Sequence, residues 1–479
     1  MVFASVLFLF YFLPAVVFFY YISGRARNYV LLVFSLVFYL FGGVESFPLI
    51  LISIVLNYLS GLFLGILGER QTARKILLTI SVLANLGLLF YYKYFNFAGE
   101  VYSSLRTHLS FLPQIVFPQV TLPLGISFFT FQGMAYVIDV YRRETEAQKN
   151  ISKVALYIAM FPQLIAGPIV RYSNVEKEMN LLSVKKGVPV NMDCICKGAV
   201  RFITGLGKKV ILADVLAESV DRIFSMEAAS ISTSMAWFGI VAYGMQIYFD
   251  FSGYSDMAIG MGKILGYTFP ENFDLPYTST SIREFWRRWH MTLSSWFRDY
   301  LYFPLGGSRR GNVYFNTFIV FLCTGLWHGA AWTYVMWGAW HGLFMIIERV
   351  MDKKIKNKKQ LPLVLRWLYC MLIINIGLAI FRSESLVYAW AFIKAMLGFP
   401  GGSFNYINIL YFMNARTLFI FTVASCVSLN VPGILYRKLG EGGKAITRKM
   451  IYPAALALFA VSLFVVINGN YSPFIYFRF

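Results

Sequence analysis

Residues 282–301 read IREFWRRWHMTLSSWFRDYL, and residues 312–345 read NVYFNTFIVFLCTGLWHGAAWTYVMWGAWHGLFM. The second run contains no Asp, Glu, Lys or Arg. At about 1.5 Å of rise per residue it exceeds the ~20 residues that one crossing needs, so it must enter a membrane. Gly325, Gly329, Gly338 and Gly342 are places where it can bend or pack closely. In the first run Ile282, Phe285, Trp286, Trp289, Leu293, Trp296, Phe297 and Tyr300 recur at helical spacing, opposite Arg283, Arg287, Arg288, Ser294, Ser295 and Arg298. That pattern predicts one amphipathic helix over Ile282 to Leu301, lying at a bilayer surface with tryptophans in the interface and arginines toward water or anionic headgroups. The stretch from Ile282 to Gly342 holds three of the four histidines and seven of the ten tryptophans, which marks it as the functional centre.

A pentapeptide pattern occurs twice there, as Gly325-Leu326-Trp327-His328-Gly329 and Gly338-Ala339-Trp340-His341-Gly342. An ionisable side chain at membrane depth costs several kcal/mol unless it is neutral, solvated or paired, so a histidine there is a functional-site hypothesis. On a straight helix, positions 328 and 341 would lie about 20 Å apart and on largely different faces. The expectation is that the two rings do not share a site and that His341 is structural. His108 reads as a solvated residue of an outer loop.

Composition bounds the class. Of 479 residues 58% are hydrophobic, 18% aromatic and only 14% charged, which excludes a soluble enzyme and leaves room for ten or more spans. The net charge of +20 comes from short basic blocks between apolar runs, the positive-inside pattern, and so does not point to nucleic acid. Five cysteines, Cys194, Cys196, Cys323, Cys370 and Cys426, have no zinc-site spacing and imply no metal.

Apolar runs are expected as spans near Val2 to Tyr21, Tyr29 to Phe41, Phe47 to Leu67, Ile76 to Tyr92, Leu122 to Tyr141, Leu363 to Ile380, Thr417 to Val431 and Ile451 to Ile467. Pro162, Gly167 and Pro168 break the apolar segment Leu156 to Val170, which reads as re-entrant. Asp250, Gly253, Ser255 and Asp256 suggest a second break within Trp237 to Leu265, with the two aspartates pairing with the arginines of the amphipathic helix. Lysines and arginines between Asn174 and Lys209 suit a cytoplasmic connection of surface helices. The basic blocks place Met1 and Phe479 outside. One domain, 1–479, is expected, with its motif-bearing core at 121–345.

Six local motifs then follow one another. They are Pro123-Leu124-Gly125-Ile126-Ser127-Phe128-Phe129-Thr130-Phe131-Gln132, Phe161-Pro162-Gln163-Leu164-Ile165-Ala166-Gly167-Pro168, and Asp250-Phe251-Ser252-Gly253-Tyr254-Ser255-Asp256. Phe285-Trp286-Arg287-Arg288-Trp289-His290, the run from Arg298-Asp299-Tyr300 through Pro304-Leu305-Gly306-Gly307, and Gly325-Leu326-Trp327-His328-Gly329-Ala330 complete the order. In this series the chain resembles the membrane-bound O-acyltransferase (MBOAT) superfamily. It looks most like the bacterial alginate and peptidoglycan O-acetyltransferase branch, with the D-alanyl transferases closer than the eukaryotic sterol or protein acyltransferases. The likeness runs from the first span to Pro473-Phe474-Ile475-Tyr476-Phe477.

The resemblance implies an all-α polytopic membrane fold, a ring of about eleven tilted transmembrane helices with re-entrant segments around a central funnel. It implies a bacterial cytoplasmic-membrane enzyme that moves an acyl group, acetyl first, from a cytosolic thioester such as acetyl-CoA to an extracytoplasmic acceptor. No bound cofactor is expected; the partners are the donor, membrane lipids and an outside acyl-accepting protein. The family's invariant histidine falls on His328, expected to accept the hydroxyl proton, and its second histidine on His290, expected to position or polarise the donor carbonyl. Arg287 and Arg298 are candidates for the donor's phosphates, as are Arg283 and Arg288. A D-alanyl transferase, a transporter and an export-complex scaffold are the alternatives, and a scaffold would not need His328. Cysteines introduced beside Arg70 or Lys353 are expected to resist a membrane-impermeant thiol reagent applied outside while ones at the termini react; the reverse pattern overturns this topology.

Overall fold

The computed structural model describes the chain except residues 110, 185–190, 355–360, 401–408, 470–473 and 475–479, so part of the Lys353 to Lys359 block and most of the C-terminal motif lie outside the described residues. Every regular element among the described residues is helical. The chain packs as two compact units, Met1–Gly198 with Met261–Pro270, and Ala199–Gly260 with Glu271–Phe479.

The first unit contains α1 (Leu13–Ile22), α2 (Arg27–Leu40), α3 (Phe47–Ile66), α4 (Gln71–Leu89), α5 (Phe95–His108), α6 (Ile126–Arg142), α7 (Ile151–Ala159), the short α8 (Phe161–Leu164) and α9 (Tyr172–Val184). Helix α4 continues through Phe90–Tyr94 into α5, so His108 ends a helix and lies outside any loop. Helix α6 is buried along almost its whole length. Asn57 of α3 and Asn85 of α4 exchange side-chain bonds of 3.2 and 3.0 Å beside it, satisfying amides that an apolar interior would penalise. Arg74, in the basic stretch after Arg70, is buried: its guanidinium donates to the carbonyls of Leu64 at 2.5 Å and Tyr141 at 2.8 Å. Those oxygens belong to the last turns of α3 and α6, where a cation meets the negative end of the helix dipole. Nearby, Arg143 at 2.9 Å holds the exposed Glu69 carboxyl below the usual carboxylate range. The predicted break in Leu156 to Val170 is present: Met160 leaves helical geometry at ψ 111° between α7 and α8.

Helix α10 (Met192–Gly207) leads into the second unit, which contains α11 (Asp214–Phe224), most of α12 (Thr233–Leu265), α13 (Ile282–Arg288), α14 (Met291–Phe297), α15 (Val313–His328), α16 (Trp332–Lys354), α17 (Leu363–Arg382), α18 (Leu386–Met396), α19 (Ala415–Ser428), α20 (Val431–Lys438) and α21 (Glu441–Asn468). Among the described residues four helices are long and apolar enough to cross a membrane, or five if α19 and α20, bent by 60°, count as one broken span.

Helix α12 corrects one expectation. It is continuous through Asp250 and Asp256, with no break. Nor do these aspartates pair with the arginines of 283–298. Asp256 meets Arg201 and Lys208, each at 2.7 Å, and Asp250 meets Lys209 at 3.0 Å. Side-chain cations satisfy the carboxylates, so the backbone keeps its own ladder. Gly205 and Gly253 let the two segments approach: a Cβ on Gly253 would sit 2.7 Å from the Gly205 carbonyl oxygen.

Lys209 and Asp250 are 6% and 4% exposed, and Lys209 also meets Asp214 at 2.5 Å, so removing the lysine takes a cation from two carboxylates. Lys209→Met is expected to cost about 3–5 kcal/mol, with Lys209→Met/Asp250→Asn recovering much of it. Thermal unfolding in detergent measures both; equal midpoints for the single and double variants contradict the pairing.

Candidate active site

The expected single helix over Ile282 to Leu301 is two helices. Ser281 caps α13 by accepting from the Glu284 N–H at 3.1 Å, and the Glu284 carboxylate reaches back to the Thr280 N–H at 2.9 Å. Glu348 of α16 supplies the rest of the cap, its two oxygens accepting from the N–H groups of Ile282 at 2.6 Å and Arg283 at 3.1 Å. A carboxylate at a helix N-terminus is favoured by the dipole as well as by the bonds. The first helix ends at Arg288. His290 then takes left-handed geometry, φ 44° and ψ 53°, before α14 starts. Such a conformation is uncommon for a residue other than glycine and persists only where surroundings impose it.

The surroundings here are the segment after Pro270. Asp274 N–H donates to the Arg288 carbonyl and Met291 N–H to the Asn272 carbonyl, both at 2.9 Å, so these bonds replace the helical ladder. The Asn272 side chain completes the knot. Its Oδ1 lies 3.0 Å from His290 Nδ1 and accepts from the Thr292 hydroxyl at 2.8 Å and the Thr292 N–H at 3.3 Å, while its Nδ2 donates to Ser255 Oγ at 3.1 Å. His290 is buried, with Phe251 at 4.6 Å and Trp327 at 5.9 Å between ring centroids.

The second correction concerns the apolar run. Asn312 caps α15 by accepting from Tyr314 and Phe315 N–H groups, and the chain reverses after Gly329 into α16. A Cβ on Gly325 would strike the Tyr334 carbonyl oxygen, and one on Gly338 the Phe321 carbonyl oxygen. These contacts pair positions as in an antiparallel hairpin with its backbones in close approach. His328 and His341 therefore do not sit at opposite ends of one straight helix. Each packs edge-to-face on Trp337, at 5.1 and 4.9 Å, and both line one small cavity with Trp286, Trp289, Tyr277 and Phe381. Its volume is about 20 Å³, room for a single water. Trp327 stands between His328, at 5.1 Å, and His290. Trp286, Trp289, Trp296, Trp327 and Trp337 are buried, so the tryptophans expected at the membrane interface mostly enclose the histidines.

Tyr277 is shared with a second, larger cavity of about 540 Å³, walled by Trp237, Met245, Trp367, Met371 and Phe421. Its hydroxyl donates to the Gly244 carbonyl at 2.6 Å, fixing the ring between the two spaces. Of the arginines, Arg283 pairs with Asp352 at 2.9 Å, Arg288 with Glu284 at 2.8 Å and Arg298 with its neighbour Asp299 at 2.8 Å. Arg287 is exposed and has no carboxylate partner among the described residues. No cluster of three or more His, Cys, Asp or Glu stands at metal-holding distance among those residues. Asn272, Glu348 and Tyr277 escaped the sequence reading: Asn272 lies 18 positions before His290 and Glu348 66 positions after Ile282, separations with no periodic signal.

The assembled site is a buried, aromatic-walled group of three imidazoles, suited to moving a proton away from bulk water. Residues 44–390 match the MBOAT, membrane-bound O-acyltransferase family. The chain is 39% identical to the probable alginate O-acetylase AlgI of Pseudomonas putida over the full length of both. It is 35% identical to the peptidoglycan O-acetyltransferase of Helicobacter pylori, covering 85% of this chain and 82% of that one. Identity to the teichoic acid D-alanyltransferase of Bacillus subtilis is 30%, over 56% of this chain and 71% of that one. The chain thus belongs to the membrane-bound O-acyltransferase family and is an integral membrane acyltransferase.

Proposed function

We propose that the protein transfers an acetyl group from a cytosolic thioester, acetyl-CoA or a carrier-bound equivalent, across the cytoplasmic membrane to a hydroxyl on an outside acceptor that serves polysaccharide O-acetylation. The observation that carries this reading is the pair His290 and His328 flanking Trp327 in a buried site. The relatives that match over 85% or more of this chain are O-acetylating by name, whereas the D-alanyl transferase matches over 56% of it. A ring of about eleven tilted helices around a funnel would let donor and acceptor meet there from opposite faces. An acyl-accepting partner protein outside would carry the group onward.

In the transfer the hydroxyl oxygen attacks the thioester carbonyl, its O–H bond breaks as the O–C bond forms, and the C–S bond then breaks. His328 takes the hydroxyl proton, and the departing sulfur collects it. No bound cofactor enters. The walls of Trp327, Trp337 and Phe381 keep bulk water, a competing acceptor, from the ring.

His328→Ala is expected to lower transfer of labelled acetyl from a thioester on the order of 10²–10⁴-fold while the protein accumulates and inserts normally. Near-normal transfer by the purified variant would move the scaffold reading ahead; release of D-alanine, not acetyl, from its donor by the parent enzyme would reassign the acyl group.

Arg287, exposed and without a carboxylate partner among the described residues, is the arginine of its helix best able to meet a donor phosphate. Arg287→Ala is expected to raise the donor KM several-fold, roughly the loss of one exposed charge-assisted contact, with a smaller change in kcat. An unchanged KM with poorer membrane insertion would assign Arg287 to lipid headgroups.

A further inference from the structure

The orientation of the Asn272 amide is decided by its neighbours. One of its terminal atoms receives the backbone N–H of Thr292, which can only donate, so that atom is the oxygen. The other end donates to Ser255 Oγ at 3.1 Å, as an NH₂ must. His290 Nδ1 lies 3.0 Å from the oxygen. A contact between an amide oxygen and a ring nitrogen is a hydrogen bond only if the nitrogen carries the hydrogen. In the neutral ring the proton is then on Nδ1, and Nε2 has a bare lone pair. Nε2 is buried and meets no bonding partner among the described residues. It is a buried acceptor that no protein group among them engages.

We propose that Asn272 is a positioning residue that locks His290 in the Nδ1–H tautomer, so that Nε2 of His290 enters the reaction as a hydrogen acceptor. This replaces the carbonyl-polarising part expected of His290 from the sequence. Polarising a carbonyl oxygen needs an N–H on the nitrogen that faces it, and here the N–H is committed to Asn272. The inference rests on the acyl-transfer reading for its kinetic consequence. In that reaction the proton leaves the attacking hydroxyl for an imidazole nitrogen and ends on the departing sulfur, so atoms and charge balance without another reactant. The fixed tautomer makes Nε2 a hydrogen-bond acceptor in that sequence, the hydroxyl proton itself going to His328.

The knot also explains the strained backbone. With φ at 44°, His290 turns its ring toward Asn272, while Thr292, two residues on, binds the same oxygen through both its N–H and its hydroxyl. Three hydrogens converge on one amide oxygen. Ser255 holds the other end of that amide from α12. A carboxamide held this firmly at both ends presents the same atom to the ring throughout.

The test has two arms. With only four histidines in the chain, nitrogen NMR of histidine-labelled protein in lipid nanodiscs can be assigned to His290 by comparison with His290→Gln. The parent is expected to carry its proton on Nδ1, Asn272→Ala to show the other tautomer or a mixture, and Asn272→Asp, whose carboxylate still accepts, to keep the parent state. In labelled-acetyl transfer, Asn272→Ala is expected to lower kcat on the order of 10²-fold with little change in KM, and Asn272→Asp to recover most of it. A parent spectrum with the proton on Nε2 overturns the proposal, as does an Asn272→Ala protein with the parent's tautomer and kcat. If that variant does not fold, the parent and Asn272→Asp spectra decide. A parent that transfers no acetyl but shows the Nδ1–H signal would sink the acyl-transfer reading and leave the tautomer assignment standing.

Discussion

Close approach of the α15 and α16 backbones is the constraint on which the site depends. It is possible because Gly325 and Gly338 lack a Cβ: each faces a main-chain carbonyl of the opposite helix where no side-chain atom would fit. In lipid the hydrophobic effect gives little drive to helix pairing, so such contact surfaces carry the association by packing. The consequence is chemical. With the chain folded back at Gly329, both pentapeptides bring their histidines against Trp337, and the wall that Trp286, Trp289 and Phe381 add closes the cavity.

The same unit shows how a chain with few charges uses them inside. Lys209 with Asp250, and Asp256 with Arg201 and Lys208, place complementary pairs where isolated ions would cost several kcal/mol. Arg74 is held in the other unit by backbone carbonyls and the Tyr141 ring. Polar groups that would break a helix left to itself become compatible with a continuous one once a partner side chain satisfies them, as α12 shows across Asp250 to Asp256. Asn272 belongs to this class too, but its satisfied bonds have a different effect: they set which nitrogen of His290 bears the hydrogen.

Two paired features therefore act at different levels. The glycine seam positions the imidazoles of His328 and His341, and the asparagine knot determines the chemical state of His290. Trp327, adjacent in sequence to one ring and packed on another, joins them. Glu348 holds the approach to this group by capping α13 from α16, so that the segment bearing Trp286 and Trp289 cannot rotate away from the cavity without losing two charge-assisted bonds.

The amino-acid sequence by itself determined the class, the family and the residues worth testing. Hydropathy is a property of local runs, and ordered motifs such as Asp250 to Asp256 and Gly325 to Ala330 are read along the chain, so an all-helical membrane acyltransferase was legible, with His290 and His328 as the histidines to test. Pro162, Gly167 and Pro168 also announced the break within Leu156 to Val170, because proline acts on its own neighbours. The division of residues 282–301 at His290, the continuity of α12 and the partners of its aspartates were not legible, since each depends on bonds to segments far away in the chain. The same holds for the meeting of His328 and His341. Periodicity fixes which face a residue occupies on a straight helix, whereas whether that helix stays straight is decided by what its glycines touch. Only the tertiary structure brings Asn272 to His290, and a ring's tautomer is set by the atom it meets in space.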